Sequence, residues 1–195
     1  MEGTPLTPAH PSWPGKLAMR LGAQAPMQLH VRGDPSLLAA PMTALLCSAR
    51  VPGEALVRAY DQAGRWRAAN RAVIGGFHSP LERACLGLLL RGTQPVILCP
   101  ARALPVRITP DLRPHVEAGR LLLVSAFDDG DRRVTRRLAE RRNLIVAALA
   151  EEVWFAHISP GGHMAWLARQ VEQWRGRKVA PLALPATPGE VRAAP

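Results

Sequence analysis

Three short loops of this sequence join residue types that can bind phosphate. Each loop follows an apolar run and precedes an amphipathic one, so each is expected to connect the end of a strand to the start of a helix. The unpaired N–H groups at a helix N-terminus favour phosphate, and glycines let the backbone approach it. The alternative for each loop is that its glycines serve only the turn. The candidate ligand-binding residues are Ser48 and Arg50, then Gly75, Gly76, His78 and Ser79, then Gly161, Gly162 and His163.

An arginine-rich run supplies further candidates for contacts with nucleic acid. At helical spacing Arg133, Arg137 and Arg141 share one face, which predicts a stripe that follows phosphates beside the pocket. Arg142 and Asn143 follow directly, where the same predicted helix becomes apolar. The alternative is an ordinary solvated helix surface.

Residues for catalysis or metal binding are scarce. No segment matches G-x-G-x-x-G or G-x-x-x-x-G-K-[ST], which disfavours ordinary dinucleotide or ATP chemistry. His78, His157 and His163 lack the spacing of metal ligands, and no pair of carboxylates lies at the glycine loops. The tryptophans are interpreted as packing residues. We therefore expect a binding protein with no catalytic residue, no metal site and no cofactor.

The elements that position the loops alternate between strands and helices. Together they predict an α/β, Rossmann-like fold, with a mainly parallel sheet and helices on both faces. In such folds ligands bind beyond the carboxyl ends of the strands, near the topological switch point. Strands are predicted at 43–48, 72–77, 95–99, 121–127, 153–158 and 179–184, and helices around 56–63, from Ser79 to Gly92, at 134–149 and at 164–174.

Composition favours an intracellular protein with anionic partners. The 195 residues are 48% hydrophobic, which suits one domain, and the formal charge is +10. Arginine dominates this excess and its planar guanidinium fits phosphate, although a genome bias toward arginine is the alternative. Cys47, Cys85 and Cys99 have no C-x-x-C spacing and are expected to be buried free thiols in a reducing compartment.

The chain ends are predicted to differ from its middle. Residues 1–27 are interpreted as a flexible Pro-rich arm, 28–184 as the Rossmann-like domain and 185–195 as a flexible tail. No apolar stretch reaches the length of a membrane span, and the N-terminus does not have the pattern of a signal peptide. We therefore expect a cytoplasmic protein without a membrane partner.

Several motifs together resemble the DNA-processing protein A family (DprA/Smf), over about residues 29–184. Residues 29–38 (LHVRGDPSLL) are similar to the lead-in strand and G-[ND]-P-x-L-L turn of that family, and 45–50 (LLCSAR) to its strand ending in G-S-R. Residues 73–77 (VIGGF) stand where the family has V-S-G-x-A, and 159–174 where its S-G-[ST] loop and helix fall. The most specific similarity is between 141–149 (RRNLIVAAL) and the family's R-N-R-x-I-A-x-L helix.

This resemblance implies a protein that binds single-stranded DNA, works as a homodimer and helps to load a RecA-type recombinase. The chain departs from the family in the loop after Gly75, which is shorter, and after His163, where Met164 and Ala165 replace a hydroxyl residue. The residues it implies for the anion pocket are Ser48, Arg50, Gly75, Gly76, Arg142, Asn143, Gly161 and Gly162.

Two other functions are open alternatives. A binder or sensor of a small nucleotide-derived ligand would use the same strand-end loops. A nucleotide phosphoribohydrolase of the lysine-decarboxylase-like (LOG) group is suggested by Pro160-Gly161-Gly162, whose family motif is P-G-G-x-G-T-x-x-E. That motif would place its glutamate at Ala168, so the carboxylate that stabilises a ribosyl cation has no candidate here.

Overall fold

The structure is a computed structural model and describes residues 4–175. It contains one seven-stranded sheet, six α-helices and two short 3₁₀ helices, at Gly22–Gln24 and Pro35–Ala39. The strands are β1 (Thr4–Leu6), β2 (Leu29–Arg32), β3 (Met42–Cys47), β4 (Ala72–Gly75), β5 (Val96–Leu98), β6 (Leu121–Ser125) and β7 (Glu152–His157). The helices are α1 (Lys16–Leu21), α2 (Gly53–Ala68), α3 (Pro80–Leu89), α4 (Arg113–Glu117), α5 (Arg136–Leu149) and α6 (His163–Arg175).

The sheet is mainly parallel, as predicted. Its strand order is β1-β2-β6-β5-β4-β3-β7. The five strands from β6 to β7 are mutually parallel, whereas β1 and β2 add two antiparallel strands beside β6. From β3 the chain moves outward through β4, β5 and β6, and then returns to place β7 on the other side of β3. The topological switch point therefore lies between β3 and β7.

Helices cover both faces of this sheet, which confirms the predicted Rossmann-like α/β class. One buried cluster packs α1, α5 and α6 against Ala44, Leu46 and Ile74. The other packs α2 and α3 against Leu45, Cys47 and Val73. Neighbouring residues of β3 and β4 thus point to opposite faces, and all six residues of β3 are buried. Continuous apolar strands of this kind belong to parallel sheets that are covered on both sides.

Residues 4–27, which belong to the predicted flexible arm 1–27, are packed onto the folded domain. Leu6 in β1 and Leu17 in α1 are both fully buried. Arg20 donates from Nη1 to the carbonyl oxygens of Ala148 and Ala150, at 2.7 and 2.6 Å. Lys16 forms an ion pair with Glu151. Residues 4–27 therefore pack against α5, and their prolines and glycines form turns rather than a free arm.

Other differences are small or lie at the chain end. The connection between β5 and β6 holds the short helix α4, which was not among the predicted helices. The predicted strand at 179–184 and the tail at 185–195 lie outside the described residues. Within residues 4–175, none of the helices has both the length and the hydropathy needed to cross a bilayer.

Candidate functional site

The loops after β3 and β7 meet at the switch point. Ser48 is 8% exposed, and its amide donates to the carbonyl oxygen of His157 at 3.0 Å. Its hydroxyl accepts a hydrogen bond of 2.9 Å from the amide of Ser159. The parallel register shifts between Leu46 and Cys47, so the chain bends where β3 ends. Ser48 therefore joins the first predicted loop to the third rather than presenting a free hydroxyl.

The loop after β7 leads into α6, whose first backbone amides lie free at this point. Gly161 has a φ of +67°, which residues with a side chain rarely adopt. The amide of Gly162 donates to the carbonyl of Ser159 at 3.2 Å, and the carbonyl of Gly162 accepts from Ala165 and Trp166 in the first turn of α6. Within residues 4–175, the amides of His163 and Met164 have no acceptor. These amides and the positive end of the helix dipole are suited to an anion.

Arg50 is the cationic side chain of the loop that follows β3. It is exposed and follows Ser48 by two residues. No carboxylate in the described part of the chain forms an ion pair with it. The structure thus brings five of the predicted residues to the two loops of the switch point: Ser48, Arg50, Gly161, Gly162 and His163.

The second predicted loop, after β4, is packed against Arg142. A Cβ atom on Gly76 would lie 1.5 Å from Nη1 of Arg142, so only glycine leaves room for the guanidinium. Gly75 is confined less severely, because its Cβ would lie 3.2 Å from the carbonyl oxygen of Leu45 and from the ring of Phe77. Phe77 has a φ of +45° and is 5% exposed, so core packing holds a strained backbone there.

A carboxylate of helix α3, that of Glu82, binds the free amides at the N-terminus of the helix. Ser79 and Glu82 form a capping box, in which the Ser79 hydroxyl accepts from the Glu82 amide at 3.2 Å. The Glu82 carboxylate accepts from the amides of Ser79 and His78, at 2.9 and 3.2 Å. Because Glu82 is buried and already occupies these amides, the N-terminus of α3 is closed to phosphate. This corrects the expectation that His78 and Ser79 offer free amides to a ligand.

Arg142 and Asn143 are also not placed as expected. Both are buried, at 5% and 8% exposure. Arg142 donates from Nη1 to the Cys99 carbonyl at 3.0 Å and from Nε to Oδ1 of Asn143 at 2.7 Å. Burial lowers the pKa of the Arg142 guanidinium, while the negative charge of Glu82 opposes that change. In this structure the two residues tie α5 to the end of β5 and do not form a surface that meets phosphate.

The arginine run before and within α5 divides into two parts. Helix α5 begins at Arg136, so Arg133 lies in the preceding loop and not on the helical stripe that was predicted. Arg132, Arg133 and Arg137 surround a surface depression of about 530 Å³, together with Asp131 and Thr135. Arg141 instead donates to the Gln24 carbonyl at 3.0 Å and holds the N-terminal segment. Arg141 thus has a structural contact, and its predicted contact with nucleic acid stays a prediction.

An aromatic pair at the start of α6 joins the predicted His163 to Trp166, which the sequence suggested was a packing residue. The rings of His163 and Trp166 stack with centroids 5.2 Å apart at 27°. Trp166 is 40% exposed, whereas Nε2 of His163 is buried and has no hydrogen-bond partner among the described residues. The sequence carried one signal, because Met164, Leu167 and Val171 form the buried stripe of α6 and leave Trp166 off it.

These features define a Rossmann-like α/β protein whose free amides collect at its switch point. Comparison with solved structures makes the assignment more specific: the fold is that of DNA processing protein A. The Streptococcus pneumoniae protein superposes with a TM-score of 0.73 at 17% identity, over 90% of this chain and 61% of its own. The Helicobacter pylori protein, whose structure describes a single-stranded DNA binding mode, gives 0.68 at 16% identity, over 90% of this chain and 80% of its own. The chain thus spans about three fifths of the first protein's length. No protein-family model and no curated sequence matches the chain.

Proposed function

We propose that this protein binds single-stranded DNA, as a DNA-processing protein of the DprA type. The DNA backbone lies along the carboxyl ends of the parallel strands, and its phosphates meet amides and guanidinium groups there. The protein acts by binding, without a chemical step. The observation that carries the proposal is the pair of free amides at His163 and Met164, next to the loop that bears the unpaired Arg50.

The strand order supports a binding path that is longer than one phosphate. The five parallel strands end at the same edge, in the order β6-β5-β4-β3-β7. With strands about 4.8 Å apart, this edge is roughly 19 Å long. Arg50 lies toward one end of it, and Arg132, Arg133 and Arg137 lie beyond β6 at the other. An extended strand of several nucleotides fits this distance, and its phosphates would be held at both ends.

Trp166 gives the same path a place for a base. Its ring is 40% exposed and is already stacked on His163 at the first turn of α6, beside the free amides. Stacking of a nucleobase on an aromatic side chain contributes about 1–3 kcal/mol to binding, whichever base it is. Phosphate contacts combined with one stacking platform suit single strands, because the bases of a duplex are not available for stacking.

The proposal includes the finer roles that the resemblance implies. These are a homodimer, a cytoplasmic location and the loading of a RecA-type recombinase on the bound strand. The three buried free thiols support a reducing compartment. The homodimer is tested by light scattering of the purified chain, and recombinase loading by filament formation on DNA that is coated with single-strand binding protein.

A fluorescence-anisotropy titration with an oligothymidine strand at several salt concentrations tests DNA binding. Contacts with about 3–5 phosphates give a log–log salt slope of roughly −2 to −3.5. Arg50→Gln is expected to make that slope less negative by about 0.7, because one phosphate contact is lost. The matched control is Arg91→Gln, which removes an exposed charge at the opposite edge, beyond the end of α3.

Stacking on Trp166 is tested separately from phosphate binding. Trp166→Ala is expected to weaken binding of the oligonucleotide about five- to hundredfold with an unchanged salt slope, since the ring carries no charge. An undetectable interaction at low salt, or a slope near zero, would show that the protein is not a single-stranded DNA binder. A loss of affinity in Arg91→Gln equal to that in Arg50→Gln would place the DNA elsewhere.

A further inference from the structure

A second arginine-rich cavity lies at the amino ends of the parallel strands, opposite to the carboxyl ends that carry the switch-point loops. It has a volume of about 630 Å³ and is lined by Arg32, Arg107 and Arg113, with apolar walls from Val31, Val106 and Val116. Gly33 places it at the amino end of β6, since a Cβ there would lie 2.6 Å from the Leu121 carbonyl oxygen. We call it the amino-end pocket. It shares no residue with the switch-point loops.

One guanidinium nitrogen of Arg32, a half-buried side chain of this pocket, has no hydrogen-bond partner among the described residues. Arg32 follows Val31 at the end of β2, and its Nη1 donates to the carbonyl oxygen of Val106 at 2.8 Å. This bond holds the guanidinium against the loop between β5 and α4. Its Nε is buried and has no hydrogen-bond partner among residues 4–175. The guanidinium is thus fixed by the protein at the wall of the cavity, where its positive charge attracts a bound anion.

The other charges of the pocket favour an anion. Arg107 and Arg113 are exposed, and neither forms an ion pair with a carboxylate in the described part of the chain. Of the two carboxylates that line the pocket, Asp34 accepts a hydrogen bond of 2.9 Å from the Ser36 amide. Hydrogen bonds from the side chain and the amide of Ser36 lower the pKa of Asp34, so this carboxylate keeps its charge and already has a partner. With Glu117, the lining therefore carries two carboxylates against three guanidinium groups, which leaves an excess of positive charge.

From these observations we propose that the amino-end pocket binds a small organic phosphate of about mononucleotide size. The volume lies within the range of small-molecule sites, roughly 300–1,000 Å³. Planar guanidinium groups recognise phosphate in bidentate fashion, and the valine walls accommodate an apolar ring. The two exposed arginines, Arg107 and Arg113, bind the charged group, and the positive charge of Arg32 adds to their attraction. This ligand is separate from the DNA of the proposed function, and neither claim depends on the other.

Isothermal titration calorimetry with adenosine and guanosine monophosphate tests this site on the full chain. Arg113→Gln is expected to weaken binding about tenfold or more, because it removes a charged hydrogen-bond donor from an exposed position without disturbing the core. Arg32→Gln tests the contribution of the Arg32 charge in the same way. Arg58→Gln is the matched control, since Arg58 is exposed on α2 and lies outside the pocket. Inorganic phosphate is titrated in parallel.

The two sites are distinguished by crossing variants with ligands. Arg113→Gln is expected to lose the mononucleotide and keep the oligonucleotide, whereas Arg50→Gln is expected to do the reverse. The inference is overturned if neither mononucleotide binds, or if Arg50→Gln abolishes mononucleotide binding while Arg113→Gln leaves it unchanged. Inorganic phosphate that binds as tightly as the mononucleotides would also overturn it, because the apolar walls would then contribute nothing.

Discussion

Replacement of Gly76 by alanine tests the packing of the loop after β4 against the guanidinium of Arg142. The new Cβ would lie 1.5 Å from Nη1 of Arg142 and 2.0 Å from its Cζ, so methyl group and guanidinium cannot share the space. Arg142 would have to leave its position. Its bonds to the Cys99 carbonyl at 3.0 Å and to Oδ1 of Asn143 at 2.7 Å would be broken.

The expected loss of stability follows from those two bonds. Each acceptor left buried without a donor costs about 1–3 kcal/mol. Arg142 regains hydration when it reaches solvent, which offsets part of this cost. We therefore expect Gly76→Ala to lower the free energy of unfolding by about 2–4 kcal/mol. Because the main effect is the displacement of Arg142, adding Arg142→Ala to Gly76→Ala should cost much less than Arg142→Ala costs alone.

Urea denaturation measures this effect through the midpoint at an unchanged m-value. The matched control is Gly87→Ala, at an exposed position inside α3 where a Cβ meets no atom within 4 Å. That change should stabilise the protein by about 0.5–1 kcal/mol, since alanine is the better helix former. A loss below about 1 kcal/mol for Gly76→Ala, or strict additivity with Arg142→Ala, would refute the close packing of glycine on guanidinium.

Three further predictions concern the N-terminal segment, the thiols and the switch point. Burial opposes the ionisation of Glu151, but hydrogen bonds from Lys16 and the Met42 amide outweigh it and lower its pKa. The stability that Glu151 contributes is therefore present above its unfolded pKa and lost as pH falls through its lower, folded pKa. Thermal melts of wild type and Glu151→Gln should thus differ at pH 7 and approach each other as the pH is lowered into the acid range. Burial raises the pKa of Cys47 to about 12, of Cys85 to about 11 and of Cys99 to about 12. Because the thiolate is the reactive form, a disulfide reagent at pH 8 should label all three thiols in urea and none of them rapidly in the native protein. Fast labelling of the native protein would contradict this. Ser48→Ala removes the acceptor for the Ser159 amide and should destabilise the protein by about 1–2 kcal/mol in urea denaturation. Ser36→Ala removes only an exposed hydrogen bond to Asp34 and should cost far less.

The elements were predictable wherever one local signal dominated. The capping box at Ser79 and Glu82, the buried run of β3 and the apolar stripe of α6 each depend on residues close in sequence. Residues 4–27 were misjudged because their prolines suppress periodicity. Leu6 and Leu17 become buried only through β2 and α5, which are distant in sequence.

The candidate site was only partly predictable, for a related reason. A glycine loop before a helix looks the same whether its amides are free, as after β7, or taken by the chain's own Glu82, as after β4. Arginine likewise looks the same in sequence whether it is exposed, as Arg50 is, or buried, as Arg142 is.

The sequence by itself determined the alternation of strands and helices, the helix caps, the excess of arginine and the thiols without C-x-x-C spacing. These properties depend on residue type and short-range spacing, which no fold can change. Only the tertiary structure decided which polar groups remain free, because a donor is satisfied by whatever the folded chain brings within about 3 Å of it. Glu82 and the Cys99 carbonyl satisfy the groups after β4 and β5, while the start of α6 and the inner side of Arg32 keep donors without partners among the described residues.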